Sequence, residues 1–315
     1  MALVPATGWT QTANTAPVTA LKVTVLSTML VGASAPAGGI GEWGFSALLE
    51  TNGRRLLIDT GARAETVLKN AAELGVDLST VNELVLTHNH SDHTGGLLVL
   101  RREMMKKNPQ ALSVVHVPKG IFLSRLGPNG QEGNGLLPIK SEYERLGGRF
   151  IEHAEPFELS KGVWLLGPVP RVNPERNFSA GGTLQTPAGP LEDNVPEDTA
   201  VAVNATGGLV VISGCGHAGI INTLQYARKT VADVPIEAAI GGFHLFGATD
   251  AQLEWTAAKL RALGVRQILG AHCTGIEALF RLRQLVGLTR ATAVVGAVNS
   301  SFILGKGIES PPLAR

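Results

Sequence analysis

From residue 21 onward, short apolar runs alternate with longer stretches in which apolar residues recur at helical spacing. Runs rich in Val, Leu and Ile at 21–26, 55–59 and 83–87 predict buried strands. Apolar positions three and four residues apart at 64–74 and 96–107 predict helices. This succession of paired strands, loops and helices is typical of a mixed α/β protein.

The same order returns in the second half of the chain. The pattern predicts further strands and helices there, at 200–204, 209–213, 221–230, 238–240, 250–263 and 267–269. The halves are therefore expected to be variations on one theme within a single domain, 21–315. Residues 1–20 are small and polar and predict a flexible arm. The stretches 127–135 and 168–194 lack periodicity and predict irregular segments, the second of them covering a ligand site.

Composition and charge narrow the class of partner. The chain has 315 residues, 44% of them hydrophobic, and 27 basic side chains balance 26 acidic ones. This much apolar material excludes a disordered or fibrous protein and predicts a sizeable core. A net charge of +1 provides no basic face for nucleic acid. We therefore expect a small-molecule substrate and neither a nucleic-acid nor a membrane partner, and the sequence leaves the oligomeric state open.

Cysteine use and the N-terminus bear on the compartment. The two cysteines, Cys215 and Cys273, each lie beside a histidine and form no CxxC pair, which favours reduced thiols near a site over a disulfide framework. No run reaches the ~18 apolar residues needed to span a bilayer, and the opening lacks the pattern of a secretion signal. A cytoplasmic protein is expected, although a leader removed before residue 1 would leave no trace.

The sequence His88-x-His90-x-Asp92-His93 carries the strongest chemical signal. Residues two apart in an extended segment point the same way, so His88 and His90 are expected to share one metal position. Asp92 and His93 face a neighbouring position as the chain turns into a helix capped by Thr94. Four such side chains in six residues indicate two divalent ions. Imidazole and carboxylate ligands suit Zn²⁺, with Mn²⁺, Fe²⁺ or Ni²⁺ as alternatives.

Three later histidines occupy similar places in the predicted fold. His217, His244 and His272 each follow a predicted strand in glycine-rich surroundings, where backbone can approach an ion closely. His244 has three open roles: metal ligand, substrate contact or loop cap. His116 is expected to be a satisfied strand residue, and His153 is expected at the surface.

These motifs resemble those of the metallo-β-lactamase superfamily, whose signature is the HxHxDH loop after a short strand. The resemblance runs from residue 21 into the C-terminal region and implies a four-layered αββα sandwich of two similar halves. It implies that the first metal is held by His88, His90 and His217, and the second by Asp92, His93 and His272. It also matches Asp59, in Leu-Ile-Asp-Thr-Gly, to the carboxylate that supports the metal ligands.

A narrower resemblance is to the branch of archaeal dihydropterin synthase-like proteins of methanopterin biosynthesis. It is carried by Gly44-Phe-Ser-Ala-Leu, Gly214-Cys-x-His-x-Gly-Ile, Gly-Gly-Phe-His-Leu and His-Cys-Thr-Gly. Most hydrolases of the superfamily have a bridging Asp between the third and last metal histidines. Asp233 and Asp250 fit that role poorly here, and His244 stands nearest, so the bridging ligand remains open.

The resemblance predicts a dinuclear metal-dependent hydrolase. A metal-bridging hydroxide would attack an ester, lactone or phosphoester bond, with Asp92 orienting the nucleophile and His244 beside it as a catalytic group. The alternatives are a metal-dependent transferase of the dihydropterin synthase type, acting on a phosphorylated sugar, and a non-catalytic metal-binding protein. Arg171 and Arg176 are candidate anchors for a phosphate or carboxylate, with a solvated loop as the alternative. Candidates for an apolar wall are Trp43, Phe45 and Phe243, with core packing favoured for Phe45.

Overall fold

The computed structural model describes residues 16–32, 39–127, 129–178 and 182–313. The strands are β1 Leu21–Ser27, β2 Ser46–Thr51, β3 Arg54–Ile58, β4 Glu83–Val85, β5 Val114–Pro118, β6 Arg125–Leu126, β7 Arg149–His153, β8 Phe157–Ser160, β9 Val163–Leu165, β10 Thr183–Thr186, β11 Gly189–Glu192, β12 Ala200–Ala205, β13 Gly208–Ser213, β14 Ile236–Gly241, β15 Gln267–Gly270, β16 Ala293–Val295, β17 Ser301–Ile303 and β18 Gly307–Glu309. The α-helices are α1 Thr66–Glu73, α2 Ser91–Thr94, α3 Leu97–Met105, α4 Leu136–Arg145, α5 Ile220–Thr230, α6 Asp250–Ala262 and α7 Ile276–Val286. Short 3₁₀ turns occupy Leu78–Thr80 and His272–Thr274.

Two large sheets form the centre of the molecule. The first has eight strands in the order β18-β17-β1-β2-β3-β4-β5-β7, and the second has seven in the order β16-β15-β14-β13-β12-β9-β8. Each sheet combines an antiparallel hairpin, β2–β3 or β12–β13, with parallel strands that follow it. A third, three-stranded sheet is built from β11, β10 and β6.

Side-chain alternation explains why the strands are apolar on both faces. In β13, Leu209 and Val211 point toward helices α5, α6 and α7, whereas Val210 and Ile212 point into the space between the two sheets. The first sheet shows the same division. Leu57 packs with helices α1, α3 and α4 on the outer face of the sheet, and its sequence neighbours in β3 pack into the space between the two sheets. Strands covered on both sides are buried throughout, as parallel strands usually are. The layers are therefore helix, sheet, sheet and helix, which confirms the predicted αββα sandwich.

The structure departs from the sequence-based expectations at several places. The segment predicted to be irregular at 168–194 contains the hairpin β10–β11. Thr94 caps no helix: it lies in α2 and bonds to the carbonyl of His90, while Gly96 precedes α3 without a side-chain cap. Most of the predicted arm, 1–15, lies outside the described residues. Its end is anchored, because Val18 is buried and its backbone bonds to the β12–β13 hairpin.

The ends of the strands determine where chemistry can occur. Strands β3 and β4 run parallel, and so do β13, β14 and β15, so their C-terminal ends lie at one edge of each sheet. The loops that follow these strands carry Asp59, the HxHxDH segment, and the three later histidines. Ligand sites in open α/β sheets gather at such edges. In the described part of the chain, helices are too short or too polar to cross a bilayer.

Candidate metal centre

One cluster of side chains at this edge consists of three histidines, His88, His90 and His217. Their candidate ligand atoms all lie within 4.8 Å of one another. The ring centroids of His88 and His90 are 4.6 Å apart, and each is within 4.8 Å of the His217 ring. His90 has an extended backbone and precedes α2, so the local geometry expected for His88 and His90 is present.

Hydrogen bonds fix which nitrogen of each ring faces the cluster. The Nδ1–H of His88 donates to Thr87 Oγ1 at 3.0 Å, and that of His217 donates to the carbonyl of Asn177 at 2.6 Å. The Nε2 atoms of His88 and His217 are buried and find no hydrogen-bond partner among the described residues. Because a buried polar atom without a partner is costly, these two nitrogens fit an ion between them.

A second cluster lies beside the first and contains Asp92, His93, Cys215 and His272, again with all ligand atoms within 4.8 Å. Asp92 Oδ2 is 3.2 Å from His272 Nε2 and 3.8 Å from His93 Nε2. Cys215 Sγ is 3.2 Å from His93 Nε2. The rings of His88 and His93 are 4.2 Å apart, so the two clusters adjoin.

Asp59 links the two clusters through hydrogen bonds, directly to His93 and by way of Thr87 to His88. Its Oδ2 accepts a bond from His93 Nδ1 at 2.7 Å and one from the Thr87 hydroxyl at 2.8 Å, and its Oδ1 accepts from the Thr87 amide at 2.8 Å. Since Thr87 in turn accepts from His88, one fully buried carboxylate orients a histidine in each cluster. Such outer partners set the tautomer of ligating histidines.

Burial keeps the first cluster uncharged. Desolvation, reinforced by neighbouring rings, holds the pKa of His88 and that of His217 well below the ordinary range. Desolvation also lowers the pKa of His90 to about 4. Burial alone would raise the pKa of Asp92, but the hydrogen bond of His272 and the electrostatic influence of His93, His272 and His90 outweigh it and lower the pKa. Neutral imidazoles and an ionised carboxylate are the forms that bind a metal.

The backbone at this edge is strained. Asp59, His244 and His272 have φ values of 55°, 49° and 46°, in the left-handed region that non-glycine residues seldom occupy. Strain of this kind persists where the surrounding structure holds it, and it concentrates at functional sites. Each of the three residues follows a strand and turns its side chain toward the clusters.

His244 lies next to the clusters in a different group. It joins Cys215 and Cys273 within the same 4.8 Å limit, and its ring lies 4.6 Å from that of His217. Its Nδ1 is buried and finds no bonding partner in the described part of the chain. His244 therefore adjoins the first cluster through His217 and the second through Cys215. Cys273 and Cys215 are both buried free thiols, with their Sγ atoms 3.2 Å apart.

The two candidate anion anchors have partners within the protein. Arg171 donates to the backbone carbonyls of His217 and Asn194, which makes it a brace for the His217 loop. Arg176 is exposed and pairs with Glu192 at 2.7 Å. The structure thus brings neither guanidinium into either cluster.

Aromatic side chains around the centre divide into core and surface. Phe45 and Phe243 are fully buried in the core, which confirms the expectation for Phe45 and corrects it for Phe243. Trp43 is 48% exposed and Phe246 56% exposed, with ring centroids 5.3 Å apart. Trp43 lies 5.0 Å from His272, so this exposed pair borders the second cluster.

Several supporting residues escaped the sequence-based reasoning. Glu42 is buried and accepts bonds from Ser27 and from the amides of Ala62 and Arg63, which holds the loop after Asp59. Asp198 accepts a bond from the amide of Ala218 beside His217, and burial raises the Asp198 pKa to about 7. These acids stand outside any recognisable motif, and only the fold brings them to the centre.

Two histidines lie outside the clusters. His116 lies in β5 and bonds through Nδ1 to His153 Nε2 at 3.0 Å, while its Nε2 is buried 3.8 Å from Glu83 Oε2, so the expected satisfaction holds for one ring nitrogen. His153 was expected at the surface, but it is 7% exposed and packs against Phe157. The expectation failed because β7 brings His153 beside β5, where a ring partner is available.

Similarity to known proteins agrees with this geometry. The sequence profile of the family described as Anti-Pycsar protein Apyc1 matches residues 27–119. A crystal structure of Tm1679, described as a metal-dependent hydrolase of the β-lactamase superfamily, is 26% identical with a TM-score of 0.72, covering 89% of this chain and 98% of that one. The chain is 30% identical over 273 residues to the 7,8-dihydropterin-6-methyl-4-(β-D-ribofuranosyl)-aminobenzene-5′-phosphate synthase of Methanocaldococcus jannaschii, covering 84% of this chain and 91% of that protein. The chain belongs to the metallo-β-lactamase superfamily.

Within the superfamily, the match to the archaeal synthase confirms the narrower branch indicated by the motifs. The metallo-β-lactamase fold protein YhfI of Bacillus subtilis is only 12% identical, yet it covers 90% of this chain and 99% of its own with a TM-score of 0.55. That likeness bears on the fold alone. The superfamily assignment supports a metal-dependent protein, and the relatives include both a described hydrolase and a named synthase.

Proposed function

We propose that this protein is a dinuclear metal-dependent hydrolase that cleaves an ester, lactone or phosphoester bond of a small molecule. The observation that carries the proposal is the pair of adjoining clusters, one of three histidines and one of an aspartate, two histidines and a cysteine. In this proposal His88, His90 and His217 hold one ion, while Asp92, His93 and His272 hold the other. Zinc suits these ligands best.

The residues fit such ions on their own geometry. The Nε2 atoms of His88 and His217 are buried and find no hydrogen-bond partner among the described residues, and His272 Nε2 lies 3.2 Å from Asp92 Oδ2. Asp59 and the Asn177 carbonyl fix tautomers that leave Nε2 free to bind. A structural zinc site is closed by four ligands, so it would need neither a second cluster nor a path for substrate from solvent.

Each polar group then has a part in the reaction. When bound, two divalent ions lower the pKa of coordinated water toward ~7 and polarise the bond under attack. Asp92, whose side chain is 20% exposed, accepts a hydrogen bond from the attacking water and orients it. In this proposal His244, whose ring lies 4.6 Å from that of His217, contacts the substrate, and buried Asp59 keeps His93 and His88 in place.

The border of the centre suggests the shape of the substrate. Trp43 and Phe246 present exposed rings beside His272 and His244. Exposed aromatic pairs at the mouth of a site favour contact with a planar or apolar group. A substrate that carries a ring next to the scissile bond fits this border, and the near-neutral charge of the chain agrees with a small molecule.

A transferase of the dihydropterin synthase type is the second candidate, favoured by the 30% identity to the archaeal synthase. In that reaction the same side chains would hold the ions, and a phosphorylated sugar would react with an acceptor other than water. The two candidates therefore differ in what attacks the substrate, and they share the metal centre.

A product analysis tests the proposal and separates the two candidates. The metal-loaded protein is incubated with p-nitrophenyl esters, phosphodiesters, phosphonates and lactones, and the rates are compared after metal removal. We expect metal-dependent hydrolysis of at least one class. Product that forms only when a pterin or arylamine acceptor accompanies a phosphorylated sugar would replace the hydrolase with the transferase. Activity that survives complete metal removal would refute both.

Replacing Asp59 with Asn should weaken metal binding about 10- to 100-fold. This is the usual effect of losing a residue that hydrogen-bonds to a metal-ligating histidine. The amide would present an N–H to His93 or Thr87, which both donate to Asp59 in the structure. Metal affinity is measured by competition with a chelating dye. Asp233→Asn, which alters only a surface pair with Arg228, is the matched control and should bind metal normally.

A further inference from the structure

We propose that the thiolate of Cys215 is the fourth ligand of the second metal ion. The proposal rests on the metal centre of the proposed function and extends it. The second ion is then held by Asp92, His93, His272 and Cys215, one carboxylate, two imidazoles and one thiolate. The nearby Cys273 is a neighbour of this site and not a ligand.

The distances within the cluster match a four-coordinate ion. The Sγ of Cys215 lies 3.2 Å from His93 Nε2, and Asp92 Oδ2 lies 3.2 Å from His272 Nε2 and 3.8 Å from His93 Nε2. A tetrahedral zinc ion, with metal–sulfur bonds of about 2.3 Å and metal–nitrogen bonds of about 2.0–2.1 Å, separates its ligand atoms by roughly 3.3–3.6 Å. These three separations are close to that range, and all four ligand atoms lie within 4.8 Å of one another.

The local backbone aims Cys215 at this position. Cys215 follows β13 in the tight sequence Gly214-Cys-Gly216 and is 2% exposed. A Cβ on Gly214 would lie 2.2 Å from Thr87 Oγ1 and 2.5 Å from Asp59 Oδ2. Only glycine permits this approach, which places the Cys215 loop directly against the carboxylate that orients His93.

Other carboxylates among the described residues do not reach the position. Asp233 pairs with Arg228 and Asp250 with Arg281, and the side chains of both acids are 76% exposed. Asp92 is the one carboxylate that the structure places within this cluster in the described part of the chain. His244, which the sequence placed nearest to the bridging role, groups with the two cysteines and not with Asp92 and His93.

Cys273 has a different role from Cys215. Its Sγ lies 3.2 Å from Cys215 Sγ and 3.6 Å from the Cys215 carbonyl oxygen, and it groups with Cys215 and His244 but not with Asp92 and His93. On binding, the Cys215 proton is released to solvent and the metal–sulfur bond replaces the S–H bond.

A thiolate changes the metals that the centre prefers. Sulfur ligands favour zinc and cobalt over manganese or magnesium, which prefer oxygen. We therefore expect the second position to select a borderline-soft ion. The first position, with three imidazoles, has no such sulfur ligand and discriminates less between divalent metals.

Cobalt substitution tests the assignment with a readout other than activity. The full chain is stripped of metal, kept reduced, and titrated with Co²⁺ alone while the near-ultraviolet sulfur-to-cobalt charge-transfer band is followed. We expect the band in the wild type and in Cys273→Ser, and its loss in Cys215→Ser. The second Co²⁺ ion should then bind Cys215→Ser at least about 100-fold more weakly. Losing a residue that only hydrogen-bonds to a ligand already lowers metal affinity by up to that factor.

X-ray absorption at the zinc edge gives an answer that needs no variant to fold. With two zinc ions bound, the wild type should show a sulfur shell at about 2.3 Å with roughly one sulfur for every two zinc ions. Bound metal without a sulfur shell and without the charge-transfer band would overturn the role of Cys215 and leave the proposed hydrolase intact. A band that disappears only in Cys273→Ser would also overturn it. A wild type that binds no metal would overturn both proposals.

Discussion

His90→Ala should reduce metal-dependent activity by at least about 10³-fold and remove metal from the protein. His90 lies between His88 and His217, with its ring 4.6 Å and 4.8 Å from theirs, so one-third of the first cluster disappears. A bound ion contributes several kcal/mol to the transition state, and each 1.36 kcal/mol is tenfold in rate. Metal content is measured by elemental analysis and activity with the best substrate of the assay panel.

The thermal stability of the two forms adds a second readout to this experiment. Burial lowers the pKa of His90 to about 4, so this ring is neutral near pH 7 in the metal-free protein. Its removal therefore deletes no charge and should change the stability of the metal-free fold little. Metal-free wild type and His90→Ala should therefore melt at similar temperatures. Added metal should raise the melting temperature of the wild type only, because a ligand stabilises the state that binds it.

His153→Ala is the matched control for this loss of an imidazole. His153 is buried and bonds to His116, outside both clusters. It should keep its metal and its activity even if the fold is somewhat less stable. Wild-type metal content and activity in His90→Ala would refute the assignment of the HxHxDH segment.

Local chemistry made much of the centre predictable. The spacing of His88 and His90 along an extended segment determines that both face one point, and the structure places them so. The strands could be recognised because both faces are buried, which leaves runs such as Leu209–Ile212 without polar interruptions. Helix ends were less predictable because tertiary packing determines where a helix begins and ends. Helix α3, for example, starts after Gly96 without a side-chain cap.

Long-range partners could not be predicted in the same way. Cys215 and His93 are 122 positions apart, and only the packing of the two sheets brings them within 3.2 Å. The acceptor for His217 is the backbone carbonyl of Asn177, a group that every residue has and no motif marks. The charge of Arg171 makes it a candidate anion anchor in the sequence, whereas no sequence pattern marks the backbone carbonyls to which it donates.

Arg125→Met should lower the free energy of unfolding by about 3–5 kcal/mol, the usual cost of removing one partner of a buried ion pair. Arg125 is 5% exposed and its guanidinium lies 2.6 Å from Glu197 and 3.1 Å from Asp193. Methionine fills a similar volume, so the loss is that of the charge. Urea denaturation of the metal-free protein measures it.

The effect should depend on pH with a defined sign. Burial raises the pKa of Glu197, which is fully enclosed, and Arg125 opposes that rise. Without the guanidinium the pKa rises further, so the folded variant binds a proton that the unfolded chain releases at neutral pH. A carboxyl with a raised folded-state pKa contributes stability below its unfolded pKa and loses it as pH rises. Arg125→Met should therefore be closest to the wild type near pH 5 and furthest from it near pH 8.

A second substitution separates the charge from simple damage to the core. Arg125→Met combined with Glu197→Leu removes both charges and should recover most of the lost stability, because a hydrophobic pair can replace a buried ion pair. Arg228→Met, which breaks an exposed pair with Asp233, should cost less than about 1 kcal/mol. A double variant no more stable than Arg125→Met would show that the ion pair does not carry the effect.

The same variant should loosen the metal centre, because the segment that Arg125 holds leads directly into it. Two residues after Glu197, the amide of Thr199 donates to the carbonyl of Thr87, and Asp198 accepts from the amide of Ala218. These bonds fix the residues adjoining His88 and His217. Metal affinity in Arg125→Met should therefore fall along with stability, and both should recover together in the double variant. Recovery of stability without recovery of metal affinity would mean that Arg125 positions the ligands through its charge and not only through the fold.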